Sequence, residues 1–445
     1  MTSPSTEQVS PQTLKKVIIA AGIGNFVEWF DFAVYGFLAT TIAQQFFPSG
    51  DASAALLKTF AVFAVAFAFR PLGGIFFGML GDRIGRKRTL AMTILLMAGA
   101  TTLIGLLPTY AAIGVAAPIL LSLIRCAQGF SAGGEYAGAC AYLMEHAPRD
   151  KRAWYGSFVP VSTFSAFAAA AVVAYALEAS LSAEAMGSWG WRLPFLIAAP
   201  LGLVGLYLRW KLDETPAFQA VKQEHAIAHS PLTETLRSHG AAICCLGAFV
   251  SLTALSFYMF TTYFATYLQV AGGLSRAMAL LVSLIALIFA AAICPLAGLY
   301  SDRVGRRVTV MTACVLLIVV VYPSFLMASS GSFAASIVGV MLLAVGAVLC
   351  GVVTAALLSE TFPTRTRYTA SAITYNMAYT IFGGTAPLVA TWLISTTGSN
   401  LSPAFYLIAV ALLALAGGLA LPETSRVSLH DVGTEVKDAE PLLSR

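Results

Sequence analysis

One ten-residue stretch, Gly78-Met79-Leu80-Gly81-Asp82-Arg83-Ile84-Gly85-Arg86-Lys87, returns 220 residues later as Gly298-Leu299-Tyr300-Ser301-Asp302-Arg303-Val304-Gly305-Arg306-Arg307. Gly, Asp, Arg, Gly and Arg keep their places in both copies, and each copy is a charged turn between long apolar runs. Such a cluster of charge is too costly to leave in hydrocarbon. Each copy must therefore be an aqueous loop between two membrane helices. Gly85 and Gly305 are expected to supply a left-handed backbone that other residues resist. A general preference for basic residues in one set of loops would explain the charge. It would explain neither the fixed Asp-Arg-x-Gly-Arg spacing nor its duplication.

The remainder of the chain fits a membrane protein. Of 445 residues, 58% are apolar and only 11% are charged, with a mean hydropathy of +0.81; soluble proteins carry about 25% charged residues. Taking roughly 20 residues as a spanning length, the sequence predicts an all-α polytopic protein with twelve transmembrane helices. They fall near 17–44, 56–80, 89–107, 112–144, 153–178 and 191–210, and again near 241–269, 277–300, 308–328, 334–359, 368–396 and 403–421. This gives a tail (1–16), a six-helix bundle (17–210), a hydrophilic linker (211–240), a second bundle (241–421) and a polar tail (422–445). Of the 26 Lys and Arg, Lys58, Arg192 and Arg276 fall on one side and Arg70 and Arg125 inside the membrane; the rest fall on the other side. The positive-inside rule then places both termini and the linker in the cytoplasm.

Two further repeats support a duplicated half. The segment from Glu145 through Pro148 to Arg152 returns from Glu360 through Pro363 to Arg367, and Glu214-Thr215 returns as Glu423-Thr424. Six helices per half is an even number, so both copies share one topology, and transporters built this way bind near the midplane between their repeats. The seven cysteines lie in apolar runs without metal-ligand spacing, and His146, His225, His229, His239 and His430 lie in predicted loops or tails. No metal site, disulfide framework or histidine relay is expected. No Gly-x4-Gly-Lys-Ser/Thr loop is present, so ATP is not the expected driver.

The twin loops resemble the signature of the major facilitator superfamily. More narrowly, the chain resembles its metabolite:proton symporter branch. The residues that carry this are Glu28-Trp29-Phe30-Asp31-Phe32, Arg70-Pro71-Leu72-Gly73-Gly74, Arg125-x-x-Gln128-Gly129-Phe130-Ser131-Ala132-Gly133-Gly134-Glu135, Trp189-Gly190-Trp191-Arg192-Leu193-Pro194-Phe195 and Glu214-Thr215-Pro216-Ala217-Phe218. The branch carries proline and glycine betaine, citrate, α-ketoglutarate and shikimate, so its motifs leave the solute open. The resemblance implies the major facilitator fold, proton-coupled import by alternating access in the cell's inner (plasma) membrane, and a part for Arg125 in coupling. By the same resemblance Asp82 latches the cytoplasmic gate against the N-terminal end of a helix from the other half, with Arg83 and Arg86 holding it. Asp302, with Arg303 and Arg306, would do a weaker version, and Glu145 with Arg152 and Glu360 with Arg367 would be companion latches. An osmosensing member of the branch ends in a long coiled coil; the residues after 421 carry no heptads, so regulation by such a device is not expected. The Gly-Pro-Gly-Gly-like run of drug antiporters is missing from the fifth span, which speaks against efflux.

Ionisable groups at membrane depth are functional candidates. These are Glu28 and Asp31, Arg70, Arg125 and Glu135, all in the first half. Glu28 and Asp31 are three apart and share a helix face. Two close carboxylates in hydrocarbon repel each other and lose their hydration, and taking up a proton relieves both. Pairing with Arg125 or Arg70 would restore the charged form. Asp31, Glu28, Glu135 and Arg125 are the expected proton-coupling residues; permanent ion pairs holding helices together are the alternative. Expected solute contacts are Arg70, Arg125, Tyr35, Gln128, Tyr258, Thr262, Tyr375, Asn376 and Tyr379. Aromatic faces suit a cation, and two membrane arginines suit a zwitterion or small carboxylate better than a tricarboxylate. The expected partners are a small organic solute, a proton and the lipid bilayer, with no other cofactor, no nucleic acid and function as a monomer. A proton-independent facilitator or exporter, and a non-transporting membrane sensor, stay open as other readings.

Overall fold

The computed structural model describes residues 11–48, 52–211, 214–215, 218–219, 231–425, 427 and 429. Among these, the first six long helices are α1 Pro11–Phe37, α2 Ala52–Ile84, α3 Arg86–Leu106, α4 Ala116–His146, α5 Phe158–Ser180 and α6 Leu193–Trp210. The second six are α7 Pro231–Tyr258, α8 Arg276–Val304, α9 Arg306–Ala328, α10 Phe333–Glu360, α11 Arg367–Ala378 and α12 Ser402–Leu419. Among the described residues, eleven helical runs are long and apolar enough to cross a membrane. The other long helix is α4, which carries Arg125, Gln128 and Glu135 and buries all three. It is buried throughout Ser131–His146, while Ile119, Leu120 and Leu123 near its start are exposed.

Several boundaries differ from the sequence expectation. The span expected over 17–44 begins at Pro11 and breaks at Leu38 before a second piece, Ala39–Phe46. The span expected over 112–144 is a single turn, Tyr110–Ile113, followed by α4. Residues 231–240, expected as linker, are the first turns of α7. Glu234 in the first turn complements the helix dipole. The rest of the expected linker at 212–213, 216–217 and 220–230, and the tails at 1–10 and 430–445, lie outside the described residues.

Close helix packing sets the geometry of the first half. A Cβ on Gly133 of α4 would sit 2.2 Å from the carbonyl oxygen of Arg70 in α2, so only glycine lets these backbones meet. The second half grips the first through α11, which lies against α2 and α4. Tyr368 donates its hydroxyl to the Gly134 carbonyl at 2.6 Å, and Asn376 donates its amide to the Gly133 carbonyl at 2.6 Å. In the second half, two helices loosen to i→i+5 turns at matching depth: Met259–Tyr263 continues α7 and Tyr379–Gly383 continues α11. Such turns are characteristic of functional sites, and these two deliver Tyr258 and Tyr379 to the middle of the protein.

Candidate functional site

Two carboxylate–arginine pairs sit side by side at the centre. Glu28, Asp31, Arg70 and Arg125 are each at most 1% exposed. Arg70 Nη2 donates to Glu28 Oε1 at 3.1 Å, and Arg70 Nε reaches Asn376 Oδ1 of the other half at 3.4 Å. The guanidinium lies 5.5, 5.6 and 5.7 Å from the ring centres of Trp29, Phe32 and Phe67, which form an aromatic box around it. Tyr258 packs on Phe67 at 5.5 Å, and Tyr379 lies 6.1 Å from Tyr258 and 6.4 Å from Trp29. Tyr375 stacks on Tyr379 at 3.9 Å and on Tyr136 of α4 at 4.2 Å, which closes the floor of the box. Arg70 Nη1, Glu28 Oε2 and the hydroxyls of Tyr258 and Tyr375 are buried without a hydrogen-bond partner among the described residues. Buried polar atoms are normally satisfied, and these four have hydrogen-bonding capacity left over.

The second pair is confined to the first half. Arg125 Nη1 donates to Asp31 Oδ2 at 3.2 Å and to Gln128 Oε1 at 2.9 Å. Gln128 Nε2 donates to Asp31 Oδ2 at 2.7 Å and to Thr101 at 2.9 Å. Arg125 lies over Tyr35 at 4.2 Å, and the Tyr35 hydroxyl donates to the Thr59 carbonyl at 3.1 Å. Phe32 borders both guanidinium groups, at 5.6 Å from Arg70 and 5.0 Å from Arg125. Asp31 Oδ1 and Arg125 Nε and Nη2 are unpartnered. The expected solute contacts therefore divide. Arg70, Tyr258, Tyr375, Asn376 and Tyr379 gather between the halves, whereas Arg125, Gln128 and Tyr35 gather around Asp31 inside one half. Thr262 joins neither group; it is half-buried and its hydroxyl meets Thr261 at 3.4 Å.

Glu135 departs from both. It is held by Arg209, whose Nη2 and Nη1 bond its two oxygens, and it accepts from Thr93 at 2.5 Å. The sequence reading counted Arg209 among the loop cations; it is 3% exposed and also bonds the Leu90 carbonyl. With both oxygens committed, Glu135 has the arrangement of a permanent ion pair joining α4 to α6 and α3. Arg209 is the functional-looking residue that sequence reasoning missed.

At the charged end the repeats resolve into crossed contacts. Asp82 accepts the backbone N–H groups of Tyr368 (3.1 Å) and Thr369 (2.8 Å) at the N-terminus of α11, with Arg86 3.2 Å away. Asp302 accepts those of Ala153 (2.9 Å) and Trp154 (2.8 Å), in the turn leading to α5, with Arg306 at 2.9 Å. Both capture a helix start of the opposite half, where the dipole favours an anion. The two copies have matching bond lengths, although Asp302 is more exposed than Asp82. Arg83 and Arg303 are exposed, and Arg86 and Arg306 pair with the aspartates. The companion pairs are exchanged relative to expectation. Glu145 bonds Arg367 at 2.8 Å and Arg86 at 3.3 Å. Glu360 bonds Arg306 through two contacts of 2.9 Å and lies 3.8 Å from Arg152. The reason is topological: the chain turns between Glu145 and Arg152, so the acid ends a helix facing one neighbour and the arginine starts a helix facing another.

The third repeat also acquires a role. Glu214 accepts the N–H groups of Arg86 (3.0 Å) and Lys87 (3.2 Å), and Glu423 those of Arg306 (2.9 Å) and Arg307 (3.0 Å), each capping the helix that follows its loop. Gly85 (φ 103°) and Gly305 (φ 94°) have the positive φ expected, and a Cβ there would lie 2.1 Å from Glu214 and 2.6 Å from Glu423. Partial burial works against the charged form of Glu423, but the backbone N–H groups of Arg306, Ser425 and Arg307 outweigh it and hold its carboxyl below the ordinary range. Thr215 donates to Glu145 at 2.5 Å and Thr424 to Glu360 at 2.9 Å, which ties each cap to a crossed acid.

Comparison with known proteins agrees with this architecture. The model of the Major Facilitator Superfamily matches residues 21–387 and 295–443. The chain is 38% identical to the proline/betaine transporter of Salmonella typhimurium over 443 residues, covering 97% of this chain and 88% of that protein. It is 39% identical to the glycine betaine/proline/ectoine/pipecolic acid transporter OusA of Dickeya dadantii, with 97% and 88% covered. It is 36% identical to the ectoine/proline transporter ProP of Corynebacterium glutamicum, with 96% and 88% covered. Among solved structures it is similar to the proton:xylose symporter XylE bound to 6-bromo-6-deoxy-D-glucose, with a TM-score of 0.77 at 17% identity, covering 96% of this chain and 100% of that one.

Proposed function

The chain belongs to the major facilitator superfamily, and from that premise we propose that it is a proton-coupled symporter importing a small zwitterion of the proline or betaine kind. Its charged face and both termini lie in the cytoplasm, as the basic residues there favour, and a single chain suffices for transport. One observation carries the reading: Arg70 sits in an aromatic box, shared between Glu28 of its own half and Asn376 of the other. An incoming carboxylate competes with Glu28 for Arg70 and takes the Tyr258 and Tyr375 hydroxyls as further donors. The cationic end of the same solute takes the ring faces of Trp29, Tyr258 and Tyr379. Glu28, parted from its arginine in a dry site, is stable only with a proton. Solute and proton thus load together, and the Arg70–Asn376 contact reports their arrival to the other half. Asp31 with Arg125 and Gln128 serves as a proton station off the solute path, since its polar partners all belong to the first half. Glu135, bound by Arg209 on both oxygens, is a strut and not a proton carrier.

The relatives named for proline, betaine and ectoine support the solute class. Two arginines at membrane depth near the centre match one carboxylate better than three. Proteoliposomes given an imposed inward proton gradient should accumulate proline or glycine betaine and lose the gain when a protonophore is added. Accumulation that ignores the protonophore would refute symport. Citrate, α-ketoglutarate and shikimate should compete poorly, and strong competition by citrate would refute the zwitterion assignment.

A further inference from the structure

The segment after α12 reaches back over the crossed contacts. Arg152 Nη1, at the start of the α5 region in the first half, donates to the Val427 carbonyl at 2.8 Å. Arg367 Nη2, in the second half, donates to the Leu429 carbonyl at 2.9 Å, and the Thr364 hydroxyl donates to the same oxygen at 2.9 Å. Arg367 is fully buried, Arg152 is 3% exposed and the Leu429 side chain is 5% exposed. These two arginines are the crossed partners of Glu145 and Glu360. Carbonyl oxygens two residues apart in one peptide therefore bond a gate arginine from each half. The peptide belongs to the second half through α12, and Thr424 on the same stretch bonds Glu360. Its bond to Arg152 is thus a further tie between the halves, made by backbone and not by charge.

We propose that the contacts made after α12 by Thr424, Val427 and Leu429 act as a strap that holds the charged face shut, with Leu429 as its anchor. The apolar side chain fixes where the carbonyl stands, and the two arginines have hydrogen-bond capacity beyond their carboxylate partners. Opening the charged face moves Arg152 away from Val427, so the strap must let go in every cycle that releases solute there. Anything that lifts Leu429 out of its seat raises the fraction of carriers open at this face. The inference rests on the reading that the charged face is a transport gate.

Opening the charged face is expected to bare Cys140. It is buried in α4, one turn beyond Tyr136, which stacks on Tyr375 of the other half. In a protein retaining Cys140 as its only cysteine, alkylation by a polar maleimide would be timed in the full chain and in four variants. These are a chain ending at Ser425, a chain ending at His430, full-length Leu429→Asp, and Asp82→Asn as a gate control. The chain ending at Ser425 and Leu429→Asp should label faster, on the order of tenfold for the loss of a hydrogen bond to a charged group. The chain ending at His430 should match the full chain. Faster labelling in Asp82→Asn with no change in the Ser425 chain or in Leu429→Asp would overturn the strap and leave the gate standing. No change in any variant would overturn both. Equal acceleration in the two shortened chains would also overturn the strap, because residues beyond it would then be responsible.

Discussion

Arg70 and Arg125 are each one arginine in an apolar run, yet their surroundings assign them different work. Arg70 bridges the halves and faces unpartnered hydroxyls, and Arg125 is enclosed with Asp31 and Gln128. Arg70→Lys keeps the charge but loses the planar fork, and it should raise the KM for proline or betaine by tenfold or more in uptake assays. Asp31→Asn should abolish accumulation driven by a proton gradient while sparing exchange of labelled for unlabelled solute. Intact accumulation in that variant would move the proton station elsewhere. The central charges could be read from the sequence because an ion in a hydrocarbon-length run has few innocent explanations. Arg209 could not, since an arginine in the last turn of a span ordinarily extends to the headgroups. Its burial depends on Glu135 standing 74 positions earlier.

At the charged face the contacts between the halves are made at helix ends. Asp82 and Asp302 cap foreign helices with equal geometry, so Asp82→Asn and Asp302→Asn should each cost about 1 kcal/mol of closed-state stability. Both should slow uptake at unchanged surface expression; normal uptake in both would exclude the latch. Glu423 gives a pH dependence with a definite sign. Its carboxyl is held below the ordinary range in the folded protein. The cap therefore contributes fully at neutral pH and is lost as pH falls below the ordinary carboxylate range, through that lowered value. The Tm gap between the native chain and Glu423→Gln should be present at pH 7 and shrink as the pH is taken down through and below the carboxylate range. A gap that widens there would reverse the assignment. Sequence reasoning found the Glu-Thr repeat but not its purpose, because a cap is identified by the N–H groups it meets and those lie more than a hundred residues away. The i→i+5 turns were equally hidden, since Met259–Tyr263 and Tyr379–Gly383 read as ordinary helix.

At the scale of the whole molecule, duplication was legible and exchange was not. A repeat announces that two halves share a plan, and the period alone is silent on which half an acid will choose for its partner. Glu145 and Glu360 illustrate this: each has an arginine seven positions downstream, and in each case the nearest one belongs elsewhere. Reversing one crossed pair, Glu145→Arg with Arg367→Glu, should recover part of the uptake that either change alone removes, measured at matched expression. Reversing Glu145 with Arg152 should recover none. The same crossing means that the halves recognise each other by complementary faces and not merely because a peptide ties them. Two separately synthesised pieces, one ending after α6 and its Glu214 cap and the other beginning before α7, should therefore find each other in a bilayer and reconstitute uptake, like a lock supplied with its own key.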